Sequence, residues 1–146
     1  MDQASITTAT KISDIKRVWH IIDVKDQVLG RVSTEIAHNL MGKAKPHFVR
    51  NLDCGDYVVV INAKEVKVTG KKEEQKNYYR HSGYPGGFRQ ETLKELRGRK
   101  PEQIITHAVK GMLPQNKLRD RMLRRLYVFS GSEHAYADKF KKSVSA

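Results

Sequence analysis

Six residues, YVVVIN at 57–62, constrain the fold more than any other stretch. A strand with one wet face alternates apolar and polar side chains. This run does not alternate, so both of its faces must be covered. Such strands belong to parallel sheets, whose crossover connections lay helices over the faces. The upstream sequence supplies the parts. VWHIID at 18–23 mixes aromatic and β-branched residues in a first strand. Leu29-Gly30-Arg31 then opens a helix in which Val32, Ile36 and Leu40, joined by Ala37 and Met41, share one face. Gly42 stands where a C-terminal cap is expected, Lys43 and Lys45 suit that helix end, and Pro46 forbids continuation. Asn51 to Asp56 is a turn cluster leading into the central strand. Strand, helix and central strand in this order predict a right-handed βαβ unit.

Further on, a short helix is expected from Thr92 to Arg97, ended by Gly98. Pro101 sits at a favoured first helical position. Ile104, Ile105, Ala108, Val109 and Met112 form the apolar stripe of the next helix, which Gly111 and Pro114 terminate. A basic helix is expected from Gln115 or Asn116, and LYVF at 126–129 reads as a last strand. Residues 1–17 are Ser/Thr-rich without a period and read as a flexible extension; Asp2, Asp14 and the scarcity of Arg argue against a transit peptide. Residues 131–146 form a polar, basic tail, expected to be held by a partner if held at all. This leaves one domain over 18–130.

Charge narrows the function. The chain carries 28 Lys+Arg against 16 Asp+Glu, a net +12. Its placement is lopsided: Arg97 to Lys142 holds twelve cations and four anions, whereas residues 1–96 hold sixteen and twelve. That asymmetry favours a polyanionic partner, nucleic acid before acidic lipid. Cys54 is the sole cysteine, which excludes an internal disulfide and a Cys-based zinc site and fits a reducing compartment. Asp53, Cys54 and Asp56 read as turn formers around a small buried thiol, and His38 and His47 are isolated from other ligands. The longest strongly apolar run, Val58 to Ile61, is far too short to cross a bilayer, and no apolar signal region follows the start. Thr69-Gly70-Lys71-Lys72 is not a phosphate loop, because position 65 is Glu65 and no Ser or Thr follows Lys71. It reads as a basic loop.

Two stretches carry the binding chemistry. Between Lys117 and Arg125 five cations (Lys117, Arg119, Arg121, Arg124, Arg125) meet one anion, Asp120, while Leu118, Met122, Leu123 and Leu126 share the other face of a helix. The ion pairing that normally neutralises such a surface is missing, which points to an anion-binding role. In KNYYRHSGYPGGFRQ, 76–90, Tyr78, Tyr79, Tyr84 and Phe88 interleave with Lys76, Arg80, His81 and Arg89, and Gly83, Gly86 and Gly87 allow close backbone approach. Two readings stay open there: stacking on unpaired bases, or an ordinary Gly-Pro turn with tyrosines packed on the domain. His81 has no nearby carboxylate to orient its ring, so catalysis is not expected of it.

Taken together, WHIID, DQVLGR at 26–31, MGKAKP at 41–46, NLDCGDYVVVINA at 51–63, TGKK at 69–72, YYRHSGYPGG at 78–87, AVKGMLP at 108–114 and GSEH at 131–134 resemble the L-thirteen family of large-subunit ribosomal proteins, bacterial or organellar in type. The resemblance implies a three-layer α/β/α fold around a small, mainly parallel sheet with basic extensions. It implies an early-binding structural protein of the large subunit, with rRNA and neighbouring ribosomal proteins as partners. It implies no enzyme activity, no cofactor, no membrane and no small-molecule substrate. The location implied is the cytoplasmic ribosome, with an organellar ribosome as the alternative. Expected RNA contacts are Arg31, Lys43 and Lys45 around the first helix, Lys71 and Lys72 in the basic loop, and Tyr79, Arg80, His81, Ser82, Gly83, Tyr84, Gly86 and Gly87 in the aromatic stretch. Lys110, Lys117, Arg119, Arg121, Arg124 and Arg125 complete the set. The chain departs from the family where Gly-Arg commonly follows the equivalent of Leu118, since Arg119-Asp120 stands there, and in the tail, where Tyr136 and Lys139 replace a usual His and Gln. Rival classes are a free RNA-binding translational regulator and an RNA-modifying enzyme, the latter requiring a ligand-sized pocket with convergent titratable groups.

Overall fold

The computed structural model describes residues 9–141. β2 (Tyr57–Ile61) lies between β1 (Trp19–Asp23) and β5 (Leu126–Val128), both parallel to it. Ile22, Val60 and Val128 share one row of the register, and side chains in such rows alternate between the two faces. One face packs Ile22, Val58 and Val60 against helices α1 (Leu29–Met41), α3 (Leu93–Arg99) and α4 (Pro101–Met112). These contribute Val32, Ile36, Leu40, Leu93, Leu96, Ile104, Ile105 and Val109, all buried. Val58, Val59 and Val60 are fully buried, as an uninterrupted apolar strand requires.

The other face is covered differently. Trp19 stacks on Tyr57 (ring centroids 4.4 Å apart, planes 9° apart) and, more distantly, on Tyr127 at 5.8 Å. Tyr136 lies over both Trp19 and Tyr127, and Phe140, on α6 (Ala137–Lys141), meets the Trp19 ring edge-on. The third layer is therefore an aromatic cluster and one short helix, and Ile21 on that face stays 47% exposed. Tyr136 and Phe140 thus lay part of the 131–141 segment on the sheet of their own chain. The remainder of the expected tail, 142–146, lies outside the described residues.

At the junctions, local chemistry sets the element ends. α1 stops at Gly42, whose φ of +76° turns the chain and whose N–H donates to the carbonyls of His38 and Asn39. A Cβ on Gly42 would sit 2.5 Å from the Cys54 carbonyl oxygen, so the 51–56 turn packs directly on the helix end. α3 runs through Gly98, contrary to the expected stop there. Thr92 caps it by accepting the Glu95 N–H while the Glu95 carboxylate accepts the Thr92 N–H. It ends because Lys100, which precedes Pro101, is driven out of helical geometry. Gly111 likewise lies inside α4, which ends at Met112, two residues before Pro114.

The basic helix is shorter than its apolar spacing suggests. α5 spans only Arg119–Leu123, and the residues from Pro114 on form turns closed by bonds such as Leu118 N–H to Asn116 Oδ1 at 3.0 Å. After α2 (Lys72–Gln75), the expected aromatic loop is an antiparallel hairpin of β3 (Asn77–His81) and β4 (Phe88–Thr92). Neither of its strands carries an apolar run, which hid it from a reading based on hydrophobic period. Of the N-terminal extension, residues 1–8 lie outside the description. The Thr10 hydroxyl donates to the His47 carbonyl at 3.1 Å, and Arg17 Nη1 donates to the Gly55 carbonyl at 2.9 Å.

Candidate nucleic-acid interface

Two of the expected contacts belong to the interior. Arg125 is 7% exposed and lays its guanidinium on the Asp53 carboxylate in a two-pronged pair. Its Nε donates to the Asp56 carbonyl at 3.2 Å and its Nη2 to the Leu40 carbonyl at 3.3 Å. Lys45 Nζ is bound by the Asp56 carboxylate at 2.5 Å and by the carbonyls of Cys54 at 2.9 Å and Lys16 at 2.7 Å. Contrary to the expected RNA contacts, Arg125 and Lys45 spend these donors inside the fold. The Asp56 carboxylate also accepts from the Val18 N–H at 2.9 Å and meets His20 Nε2 at 3.0 Å. Burial alone would push Asp56 up, but the bonds from Lys45, Val18 and His20 outweigh it and hold the group below its ordinary value. Cys54, fully buried between these carboxylates, supplies its carbonyl and packing.

The remaining cations gather at the two ends of α1, roughly 20 Å apart for a helix of 13 residues. At its C-terminal end Lys43 and Arg50 line a cleft of about 310 Å³ together with Phe48, Asn116 and Met122. Arg121 borders the neighbouring cleft with Arg17 and Asn51. Among the described residues, Lys43, Lys117, Arg121 and Arg124 are exposed and pair with no carboxylate. Arg119 is half-buried, and its Nε finds no hydrogen-bond partner.

At the other end, Lys72 and Lys76 rim a largely apolar groove of about 620 Å³ lined by Gly30, Val68, His107 and Met112. Arg31, Lys71 and Lys110 are exposed beside it in sequence. Burial, and then the charges of Lys110 and Lys76, lower His107 below its ordinary value, which favours the neutral ring. Among the described residues, no carboxylate or thiol lines this groove.

The hairpin adjoins this second group. Tyr78 turns inward, its ring 5.3 Å from that of His107, with Lys76 Nζ over its face at 5.3 Å. Tyr79, Tyr84 and Phe88 point outward at 63%, 76% and 58% exposure. The packed-tyrosine reading thus holds for Tyr78 alone. His81 Nδ1 accepts the Gly83 N–H at 2.9 Å, and the Ser82 N–H closes the loop on the Gly87 carbonyl at 3.2 Å. Gly83 and Gly86 adopt left-handed conformations, and a Cβ on Gly87 would collide with the Ser82 side chain. The turn itself therefore demands these glycines, whatever approaches them. Arg80 and Arg89 face each other across the strands, both exposed. Arg50, Lys76 and Arg89 were outside the expected contact set; for the last two, the signal was a stretch of 76–90 without a single Asp or Glu.

Comparison with known proteins gives one answer. The family model described as Ribosomal protein L13 matches residues 17–135. A large ribosomal subunit protein uL13 of Dehalococcoides mccartyi (strain ATCC BAA-2266 / KCTC 15142 / 195) is 60% identical over 131 residues, covering 90% of this chain and 92% of its relative. Its counterpart in Lawsonia intracellularis is 48% identical over 130 residues, 89% and 90% of the two chains. That of Nitratidesulfovibrio vulgaris is 50% identical over 124 residues, 85% and 86%. The likeness takes in the parallel sheet, both ends of α1, the hairpin and α5, and on that breadth the chain belongs to the ribosomal protein L13 family.

Proposed function

We propose that the chain is a structural constituent of the large ribosomal subunit that binds rRNA early in assembly and stabilises its folded form. The role is structural, not enzymatic. The observation that carries it is the set of cations at both ends of α1 that are exposed and, among the described residues, pair with no carboxylate, while Lys45 and Arg125 are spent on Asp56 and Asp53 inside the fold. Phosphates would fix the protein's position and orientation, while the hairpin adds selectivity. Arg31, Lys71, Lys72 and Lys110 serve one end; Lys43, Arg50, Lys117, Arg119, Arg121 and Arg124 serve the other. Neighbouring large-subunit proteins complete its surroundings, and the bacterial relatives favour a cytoplasmic ribosome over an organellar one.

Filter binding to large-subunit rRNA across a salt series tests this reading. Each phosphate contact contributes about 0.7–0.9 to the log–log slope. The triple variant Lys117→Ala, Arg121→Ala, Arg124→Ala should lower that slope by about two units while leaving the thermal melt unchanged. An unaltered slope would remove the 117–124 segment from the interface.

A further inference from the structure

We propose that the outward face of the β3–β4 hairpin is a stacking platform for unpaired nucleobases, selective for single-stranded over duplex RNA. The inference rests on the rRNA-binding reading and gives it a second, chemically distinct site. The register pairs Tyr79 with Gln90 and His81 with Phe88, so these four side chains share one face of the hairpin. Tyr78 and Glu91 share the other, which is occupied: Tyr78 lies against His107, and Glu91 is paired with Arg99 at 2.6 Å. On the open face the Tyr79 and Phe88 rings lie nearly parallel, centroids 5.8 Å apart and planes 20° apart.

That spacing decides the mode of binding. A base inserted between two rings needs about twice the 3.4 Å stacking distance, so a base must extend the pair from outside. Both rings are more than half exposed, which leaves their outer faces open. His81 and Gln90 bring hydrogen-bonding groups to the same face, suited to base edges. The surrounding charge selects the occupant. From residue 76 to 90 there are cations and no carboxylates: Lys76 lies over Tyr78, the register puts Arg80 and Arg89 on the reverse face of the same narrow hairpin, and Glu91 is neutralised by Arg99. A polyanion carrying accessible π-faces satisfies both features. Duplex RNA buries its base faces in its own stack and cannot use the rings.

Fluorescence anisotropy with the full chain, an eight-nucleotide unpaired RNA and a blunt RNA duplex of equal charge tests this. For the double variant Tyr79→Ala, Phe88→Ala, affinity for the unpaired RNA should fall about tenfold or more, with duplex affinity unchanged. Phe88→Trp should retain or strengthen single-strand binding. Arg80→Ala with Arg89→Ala should weaken both probes together and lower the salt slope. Equal loss of both probes in the aromatic variant, or no loss in either, would overturn the platform. So would an aromatic variant that keeps RNA affinity but fails to assemble beside a neighbouring ribosomal protein, since the face would then dock protein. Failure of the wider reading looks different: the unaltered chain would then not bind large-subunit rRNA at all.

Discussion

Arg121 and Arg125 sit four positions apart and do opposite work. Arg121 is exposed and, among the described residues, has no carboxylate partner, whereas Arg125 is a buried fastener for the 51–56 turn. Removing Asp53 should strand a buried guanidinium; Asp53→Ala is expected to cost about 3–5 kcal/mol in urea unfolding. Arg121→Ala should stay within about 0.5 kcal/mol and act on RNA affinity alone. Helical spacing could not separate the two, because the partner of Arg125 lies 72 positions away in the chain. Asp56 gives a pH test. Its folded-state value is depressed, so its contribution is present above the ordinary value of 3.8 and is lost as pH falls from there toward the folded value. The stability gap between the native chain and Asp56→Asn should therefore narrow as urea melts are taken from pH 5 down past 3.8.

Elements with a strong hydrophobic period were legible: β1, α1 with its glycine stop, β2 and the start of α4 fall where the sequence puts them, although α4 runs on through Gly111. The hairpin and the short span of α5 were not legible, each for its own reason. The hairpin has no apolar stripe of its own, and in α5, whose Met122 and Leu123 do pack on the core, the turns from Pro114 to Leu118 shorten the helix that the stripe suggests. Their candidate binding residues were visible as charge and aromatic content, but not the division of the hairpin into a packed and an open face. At the central strand, Val59→Asp should abolish cooperative thermal unfolding, since an unpaired buried charge costs several kcal/mol, on the scale of a whole domain's stability. Where α1 meets the 51–56 turn, a Cβ on Gly55 would overlap the Leu40 carbonyl. Gly55→Ala should cost more than about 2 kcal/mol, read by the same melts.

On the scale of the whole molecule, a charge of +12 on 146 residues disfavours compaction until a polyanion offsets it. Binding that is selective for the folded chain must stabilise it. An rRNA fragment at a hundred times its Kd should add about 2.7 kcal/mol, seen as a higher melting temperature that salt then erodes. The aromatic cover of the sheet has its own reporter. Trp19 is the sole tryptophan, so Tyr136→Ala should shift its emission to the red and cost about 1 kcal/mol.

That cover also bears on how the polypeptide is made. Trp19 and Val59 emerge from a translating ribosome long before residues 126–140, which supply both the second neighbour of β2 and the lid over its outer row. A nascent chain halted at position 125 would hold a lone pair of parallel strands with one greasy side bare. Such a fragment should neither unfold cooperatively nor stay in solution, so this builder of ribosomes matures only after synthesis has passed its fifth strand.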